Sequence, residues 1–460
     1  MPDLSISRAI TSWAEQRPDA VAVRCGDDVL TWRELDQVSN RVARRWRSAG
    51  LAVDDLVSVA LPNSTDVVVA CVAAWKAGAT PQPLSPRLGA AERDAVLALA
   101  APAVVVAGPL DRCDGESDAP LPDLAASSWK APTSSGSTGR PKIVRAAAPA
   151  RVDPEGRVAP FVPREAVQLV AGPLFHAAPF VYAMRGLMTG HELVVMPRFD
   201  ADEWLRLVAE HQVTWGMLVP TMMQRIWRAP SRGAAQLDSL ESVLHLGARC
   251  PAWLKRAWLE WLGPERVWEL YAGTESQGLA LIGGTEWLER PGSVGRPVGD
   301  SRFRVVRPDG SGCDPGEEGE VLMRRSGPTY AYVGAVPQVR DGWHTLGDSG
   351  HLDADGFLWI GDRLDDVVVT GGVKVQPADV EAVLDEHPAV RSSVVVGRDD
   401  DDLGQRVHAV VDTAGVAVGE AELMAWVHDR LDPEKQPRSW QVVSEELRSD
   451  TGKVRRSAWR

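Results

Sequence analysis

From its start to about residue 285 the chain alternates short apolar runs with helical patterns, and few architectures accept that order. "VAVRC" (21–25), "LVSVAL" (56–61) and "AVVVAG" (103–108) read as strands. Between them, Thr31-Trp32-Arg33-Glu34 has the spacing of a capping box. Leu35, Val38, Val42 and Trp46 then recur at helical spacing, and Gly50 stops the helix. "VVVACVAAWKAG" (67–78) reads as another helix with a glycine end. The pattern resumes with strands in "AVQLVAGP" (166–173), "ELVVMP" (192–197) and "VTWGMLVP" (213–220), with the helix "ADEWLRLVAEH" (201–211) between the last two. Strands separated by helices do not close as hairpins, so mostly parallel sheets with covering helices are expected.

From about 292 to 362 the texture changes to short strands broken by Gly, Pro and Asp, as in "FRVVRPDG" and "GEVLMRR". That predicts a small antiparallel barrel or sheet. After "DRLDD" (362–366) come a strand, the helix "PADVEAVLDEHP" (377–388), two further strands, a last helix and an extended tail. These residues suffice for a small α+β domain. The expected division is 1–363 and 364–460.

Composition narrows the function. The formal net charge is −13, which disfavours nucleic acid as a partner but leaves small anions open. Five scattered cysteines show no C-x-x-C spacing, so neither a disulfide framework nor a zinc site is expected. No signal peptide and no membrane-spanning run is read, so the expectation is a cytoplasmic protein without integral membrane association. The acidic run 398–404 reads as a solvated turn.

"TSSGSTGRPK" (133–142) is the most unusual stretch. Its glycines are too close together for a Walker loop, and Lys142 follows Pro141, so a hairpin loop fits better than a helix start. Glycines let amides converge on an anion, hydroxyls add donors, and Arg140 and Lys142 add charge. A Ser/Gly linker is the other reading that this composition allows.

The rest of the chain supplies the context. "SSGSTGRPK" resembles the phosphate loop of the adenylate-forming superfamily of acyl-CoA synthetases, nonribosomal adenylation domains and luciferases. Further resemblances follow in the family's order: "PLFHAAP" (173–179), "VPTMMQRIW" (219–227), "ELYAGTES" (269–276), "GSVGRPV" (292–298), "GEEGEV" (316–321), "TLGDSGHLDADGFLWIGDRLDD" (345–366), "GGVKVQPADVE" (371–381) and "RSDTGKVRRSAWR" (448–460). The wording is most similar to actinobacterial acyl-CoA or aryl-acid CoA ligases. The resemblance implies an α/β fold: a large N-terminal domain of two doubly wound sheets plus a small β-barrel, and a small mobile α+β C-terminal domain.

It also implies roles. An acid and ATP would give an acyl-adenylate and pyrophosphate, and coenzyme A would then take the acyl group. Two anions must meet in the first step, so a cationic, Mg²⁺-assisted site is needed. Ser134, Ser135, Gly136, Ser137, Thr138 and Lys142 would hold phosphates, Thr274 the α-phosphate and Glu275 the Mg²⁺. Tyr271, with Gly247 and Ala248, would enclose adenine, while Asp348 and Arg363 would bind the ribose. Lys453 would bridge carboxylate and α-phosphate, Asp365 would be the hinge, and Gly371 and Gly372 would flank the thiol tunnel. His176 would lie near the acyl carboxylate, although a buried, satisfied histidine is an equal reading. Phe175, Trp215, Ala272, Gly273 and Gly278 would line the substrate pocket. Two positions depart from the family's pattern, Leu346 within "TLGD" and Ala272 within "YAGTE".

No acid stands beside His176 to hold an ammonium, which disfavours free α-amino acids. Apolar and aromatic segments suit a hydrophobic acid. Transfer to a carrier-protein pantetheine or to a nitrogen nucleophile, including nitrite-activating diazotising chemistry, is the alternative, and a monomer or homodimer is expected.

Overall fold

The computed structural model describes residues 3–135, 141–156, 158–448, 452, 454 and 456–460. The helix Trp32–Ser48 begins at the capping box: the Glu34 amide donates to Thr31 Oγ1 at 3.2 Å, and the Thr31 amide donates to the Glu34 carboxylate at 2.8 Å. Its apolar stripe packs with the helices Ile6–Gln16 and Thr65–Lys76 in the first core. Lys76 is buried there because Asp36 and Asn40 each accept from its ammonium at 2.6 Å.

Among the described residues, two sheets carry most of the N-terminal part. Thr80–Pro83, Leu56–Val59 and Val104–Val106 form a short parallel sheet. The strand Val21–Cys25 does not join it. It pairs with Glu192–Val195 in a larger sheet, one strand in from the edge formed by Asp28–Thr31. Helix–strand alternation marks both strands as parallel, but long-range packing decides which sheet each enters.

In the larger sheet, Val167–Val170 lies between Glu192–Val195 on one side and Trp215–Leu218 on the other. Ser242–Leu246 and Val267–Ala272 continue the parallel order. The chain therefore leaves Val167–Val170 towards one edge and later returns past it towards the other. That reversal is a topological switch point, and the crevice at the carboxyl ends of such strands is where α/β sheets bind ligands. The segments 171–176 and 219–221 open into it.

The 292–363 segment is antiparallel, as the turn-rich texture predicts, and it extends the large sheet. Val267–Ala272 pairs with Leu279–Gly283, which pairs with Ser293–Pro297, and Leu358–Arg363 follows. Trp343–Leu352, Gly319–Arg324 and Arg302–Val306 complete the run. Gly295 makes the join possible. Its φ is +93°, and a Cβ there would lie 2.0 Å from the Leu281 carbonyl oxygen.

The C-terminal piece has its own core, with Gly404–Asp412 paired to Ser392–Asp400, Val368–Thr370 and Ser439–Val443. The helix Pro377–Asp385 covers that sheet and buries Glu381, which is neutralised by Arg448 at 2.9 Å and by Arg456. The piece docks on the helix Pro220–Trp227. Arg228 donates to the Val390 and Asp385 carbonyls at 2.6 and 2.8 Å, and Arg225 pairs with Glu446 at 3.0 Å. Among the described residues no helix is long and apolar enough to cross a membrane.

Gly295→Ala should lower stability by about 3 kcal/mol, because both the conformation and the space forbid a methyl group. Urea unfolding followed by tryptophan fluorescence checks this, and a midpoint within error of the parent's would contradict it.

Candidate active site

The turn Gly273–Ser276 joins the antiparallel strands Val267–Ala272 and Leu279–Gly283 at the end of the parallel sheet. Ser276 sits in the left-handed region at φ +55°, and its amide donates to the Gly273 carbonyl at 3.0 Å. Such a conformation is held only when its surroundings over-determine it. The turn presses Glu275 inward until 4% of the residue is exposed.

Glu275 is received by two partners. Lys142 Nζ lies 3.0 Å from Glu275 Oε1, and the Tyr332 hydroxyl donates to the same oxygen at 2.5 Å. Lys142 also donates to the Tyr332 hydroxyl at 2.7 Å. Burial alone would raise the Glu275 pKa, but the Tyr332 hydrogen bond and the Lys142 charge outweigh it and hold the pKa below its ordinary value. The carboxylate stays ionised although buried.

The approach of these groups follows from strand register. Thr133–Ser135 pairs with Pro141–Ala146 and sets Ser134 opposite Lys142. Tyr330–Val333 pairs on the other side and sets Tyr332 opposite Val144. The hairpin expected for the phosphate loop thus exists in its flanking strands. Gly136, Ser137, Thr138 and Lys453 lie outside the described residues, as do the side chains of Ser134 and Ser135.

Two residues of this cluster escaped the sequence reading. Tyr332 lies in an unremarkable turn-rich segment. Its scarcity was the available signal: the chain has four tyrosines, and Tyr332 stands two residues from Tyr330. Lys130 stands just before the hairpin and is 6% exposed, with Nζ 3.5 Å from the Thr274 carbonyl oxygen. Burial and then the Arg185 charge lower its pKa to about 8, and Glu275 works in the opposite sense. "WKAP" directly ahead of the loop was the visible hint.

A second polar cluster forms beside it. The Tyr271 hydroxyl donates to Asp348 Oδ2 at 2.6 Å, and Arg363 Nε lies 3.7 Å from Asp348 Oδ1. Asp348 and Arg363 are register partners. Burial and then Asp348 raise the Tyr271 pKa well above its ordinary value, so the phenol remains a donor. The strand Trp343–Leu352 bulges here, since Thr345 faces Leu322 while Ser349 faces Glu320. Gly347 takes φ +79° within that bulge. The extra Leu346 is used. A Cβ at Gly273 would lie 3.0 Å from Leu346 Cδ2, so this side chain closes over the Glu275 turn. Parallel pairing of Leu246 with Leu270 sets Gly247 and Ala248 beside Tyr271 and Ala272. Gly247 is exposed, with φ +91°.

Asn63 ties the switch-point loop down. Its amide donates to the Gly172 and Met196 carbonyls at 3.0 and 2.9 Å, and its oxygen accepts from the Leu174 amide at 2.7 Å. Phe175 and His176 follow at once, half-buried, with ring centres 4.6 Å apart. His176 is the N-cap residue of the helix Ala177–Met188. Ala272 joins a cluster with Phe161, Tyr182 and Trp215. Two expected lining residues stand behind the wall instead. Trp215 is 1% exposed and its indole reaches His191 Nδ1 at 3.2 Å. Gly278 is buried, and a Cβ there would lie 2.6 Å from Met323 Cβ, so that glycine serves close strand packing.

Asp365 lies in the exposed turn between the two parts, and its carbonyl accepts from Arg460 at 2.8 Å. Gly371 and Gly372 are exposed in the tight turn between Val368–Thr370 and Val373–Val375, and no contact among the described residues brings them to the Glu275 cluster. Gly452 does approach the crevice: a Cβ there would lie 3.1 Å from Thr221 Oγ1.

The structure thus brings together a buried ionised carboxylate with two cations and, next to it, a carboxylate–phenol–guanidinium group. The family described as "AMP-binding enzyme" matches residues 10–132 and 131–333, and "AMP-binding enzyme C-terminal domain" matches 379–453. A feruloyl-CoA synthase of Amycolatopsis sp is 32% identical over 97% of this chain and 98% of its own. A 2-succinylbenzoate–CoA ligase of Bacillus licheniformis is 31% identical with the same coverage. Among solved structures, the o-succinylbenzoate CoA synthetase of Bacillus subtilis with its acyl-adenylate superposes with a TM-score of 0.82 at 23% identity, covering 99% of this chain and 97% of that one. An amide bond synthetase from Marinactinospora thermotolerans gives 0.82 at 22%, covering 99% of each. The chain belongs to the AMP-binding enzymes, and its fold is the adenylate-forming one, with a large N-terminal and a small C-terminal domain.

Tyr332→Phe removes a donor from a buried carboxylate and should raise the half-saturating Mg-ATP concentration about tenfold or more. Initial-rate titration of Mg-ATP measures this, and an unchanged value would exclude Tyr332 from the nucleotide site.

Proposed function

We propose that this AMP-forming acid:CoA ligase activates a hydrophobic or aromatic carboxylic acid through the Glu275–Lys142–Lys130 cluster. The supporting observation is the pairing of that cluster with the Tyr271–Asp348–Arg363 group at the switch-point crevice. One end suits triphosphate, the other ribose, and the aromatic wall around Ala272 suits an apolar acid.

In the first step a carboxylate oxygen of the acid forms a bond to the α-phosphorus, and the bond to pyrophosphate breaks. Lys142 offsets charge on the leaving phosphates, and Thr274 faces the α-phosphate. Asp348 accepts from the ribose hydroxyls while Tyr271 and Arg363 hold the carboxylate in place. Magnesium fits Glu275: it commonly takes one or two carboxylates with phosphate oxygens and waters, and Glu275 is ionised. When bound, the ion neutralises phosphate charge. Lys453 follows Gly452 at the Thr221 edge of the crevice in sequence, and we assign it the bridge between carboxylate and α-phosphate.

In the second step the thiol sulfur attacks the acyl carbon, and AMP leaves with the bonding pair. Gly371 and Gly372 face solvent in this conformation, so their role at the thiol tunnel requires the C-terminal domain to turn about Asp365. We propose the domain boundary between 363 and 364 on the same reading. Transfer to a carrier-protein pantetheine or an amine is the second reading.

Pyrophosphate release with Mg-ATP over fatty, benzoic, cinnamic, steroid and nitrite substrates, with and without CoA, tests the reading. Release with an organic acid and acyl-CoA formation on CoA addition are expected, whereas release that ignores CoA would overturn the acceptor assignment. Lys453→Ala should abolish pyrophosphate release yet retain thioester formation from supplied acyl-adenylate; equal loss of both steps would remove Lys453 from its role. Asp365→Pro should do the reverse, sparing adenylation and slowing thioester formation in single-turnover assays.

A further inference from the structure

The second core holds a charged group that the site described so far does not use. Lys255 lies in the first turn of the helix Ala252–Leu262 and is fully buried. Its ammonium donates to Glu269 Oε2 at 2.8 Å and to His245 Nε2 at 2.7 Å. His245 and Glu269 are register partners on the neighbouring strands Ser242–Leu246 and Val267–Ala272. The helix packs Leu254, Trp258 and Leu259 with Val243, Val267 and Trp287 in the same core. Three elements therefore each send one polar side chain to a single buried point.

Stability does not account for this arrangement. A cation in the first turn opposes the helix dipole. His245 accepts from Lys255 only while neutral, and its other nitrogen, Nδ1, has no partner among the described residues. Well-packed apolar side chains of similar volume would hold a core as well or better. What three polar groups from three elements do give is a single register. A slip of either strand, or of the helix along them, would leave a buried charge without its partner.

That register governs what comes next on each strand. Gly247 stands two residues beyond His245, and Tyr271 two beyond Glu269. Leu246 and Leu270, between them, are the last register pair of the two strands. Lys255 thus clamps the strands one pair before they part. The loop from Gly247 to Pro251 then runs straight back to the helix that carries Lys255, and the Lys255 amide donates to the Pro251 carbonyl at 3.0 Å. One residue holds both ends of the loop, by its side chain at His245 and by its amide at Pro251. The loop's outer contact, Arg249 with Asp379 at 2.9 Å, is a solvent-exposed ion pair of the weak kind.

Resting on the reading of Tyr271, Gly247 and Ala248 as the adenine site, we propose that Lys255, with His245 and Glu269, is the positioning residue for the nucleotide base. It fixes the 247–251 loop at the separation from Tyr271 that admits adenine, and it does so without touching the nucleotide. Gly247 brings no side chain to this loop, so recognition there falls to the backbone, and a backbone discriminates between bases only from a fixed place.

The test uses the full-length enzyme and calorimetric titration with Mg-ATP, Mg-GTP and magnesium tripolyphosphate. The double variant Lys255→Met with Glu269→Gln removes both charges at nearly constant volume, so no buried charge is stranded and the thermal midpoint should stay close to the parent's. Its Kd for Mg-ATP should rise about tenfold, and its preference for ATP over GTP should fall by a similar factor. Its Kd for tripolyphosphate, which has no base, should not change. Glu269→Gln alone keeps an oxygen for Lys255 and should give a smaller shift in the same direction; it decides the matter if the double variant does not fold. Unchanged Mg-ATP binding in the folded variants, or equal weakening of Mg-ATP and tripolyphosphate, overturns the inference. Tyr271→Leu separates it from the reading beneath. If that variant weakens Mg-ATP and the Lys255 and Glu269 variants do not, only this inference falls. If Tyr271→Leu also leaves Mg-ATP unchanged, the adenine reading falls with it.

Discussion

A carboxylate that stays ionised while almost wholly buried is the constraint on which this structure turns. Glu275 tolerates burial because Lys142 and Tyr332 meet one of its oxygens together. Each arrives on a different strand, and Glu275 itself arrives on a turn with a left-handed serine. Removing any of the three would strand a buried charge or donor, which costs far more than the net worth of one hydrogen bond. The charge that makes the site costly to fold is also what suits it to a hard cation and phosphate.

The fold delivers these pieces because of one reversal in strand order. Val167–Val170 sits between strands that follow it in the chain, so the loops after it and after Trp215–Leu218 diverge and leave a crevice. Asn63 fixes the floor of that crevice through three hydrogen bonds. The antiparallel strands grafted onto the sheet through Gly295 bring Asp348 and Arg363 to its rim. The C-terminal domain meets the crevice from the side of Pro220–Trp227, through backbone carbonyls and surface ion pairs rather than an apolar seam. Polar interfaces of this kind suit domains that move relative to one another.

The cations around the crevice divide by partner. Lys142 is matched to Glu275, and Arg363 approaches Asp348, so both are neutralised before any ligand arrives. Lys130 and Arg185 share the Trp129 indole without an acid at ion-pair distance among the described residues. The first pair is matched within the protein, and the second is not.

Much of this was legible in the chain. Alternation of periods 2 and 3.6 settled an α/β protein with a turn-rich antiparallel segment and a separate α+β end, because apolar spacing is a local property. Motif residues such as Lys142, Glu275, Tyr271, Asp348 and Arg363 were legible too, since each sits in a short string with its own chemistry. What stayed hidden depended on distance in the fold. Val21–Cys25 looked like its neighbours yet joined the other sheet. Trp215 and Gly278 carried pocket-like surroundings but were turned into packing. Tyr332, Lys130 and Asn63 had no local mark, because their importance comes from partners far away in sequence. The sequence by itself determined which groups were available and which segments were strands or helices; only the tertiary structure decided which charges met a partner and which did not, because pairing is set by strand register and sheet order, and those are fixed by contacts between residues far apart along the chain.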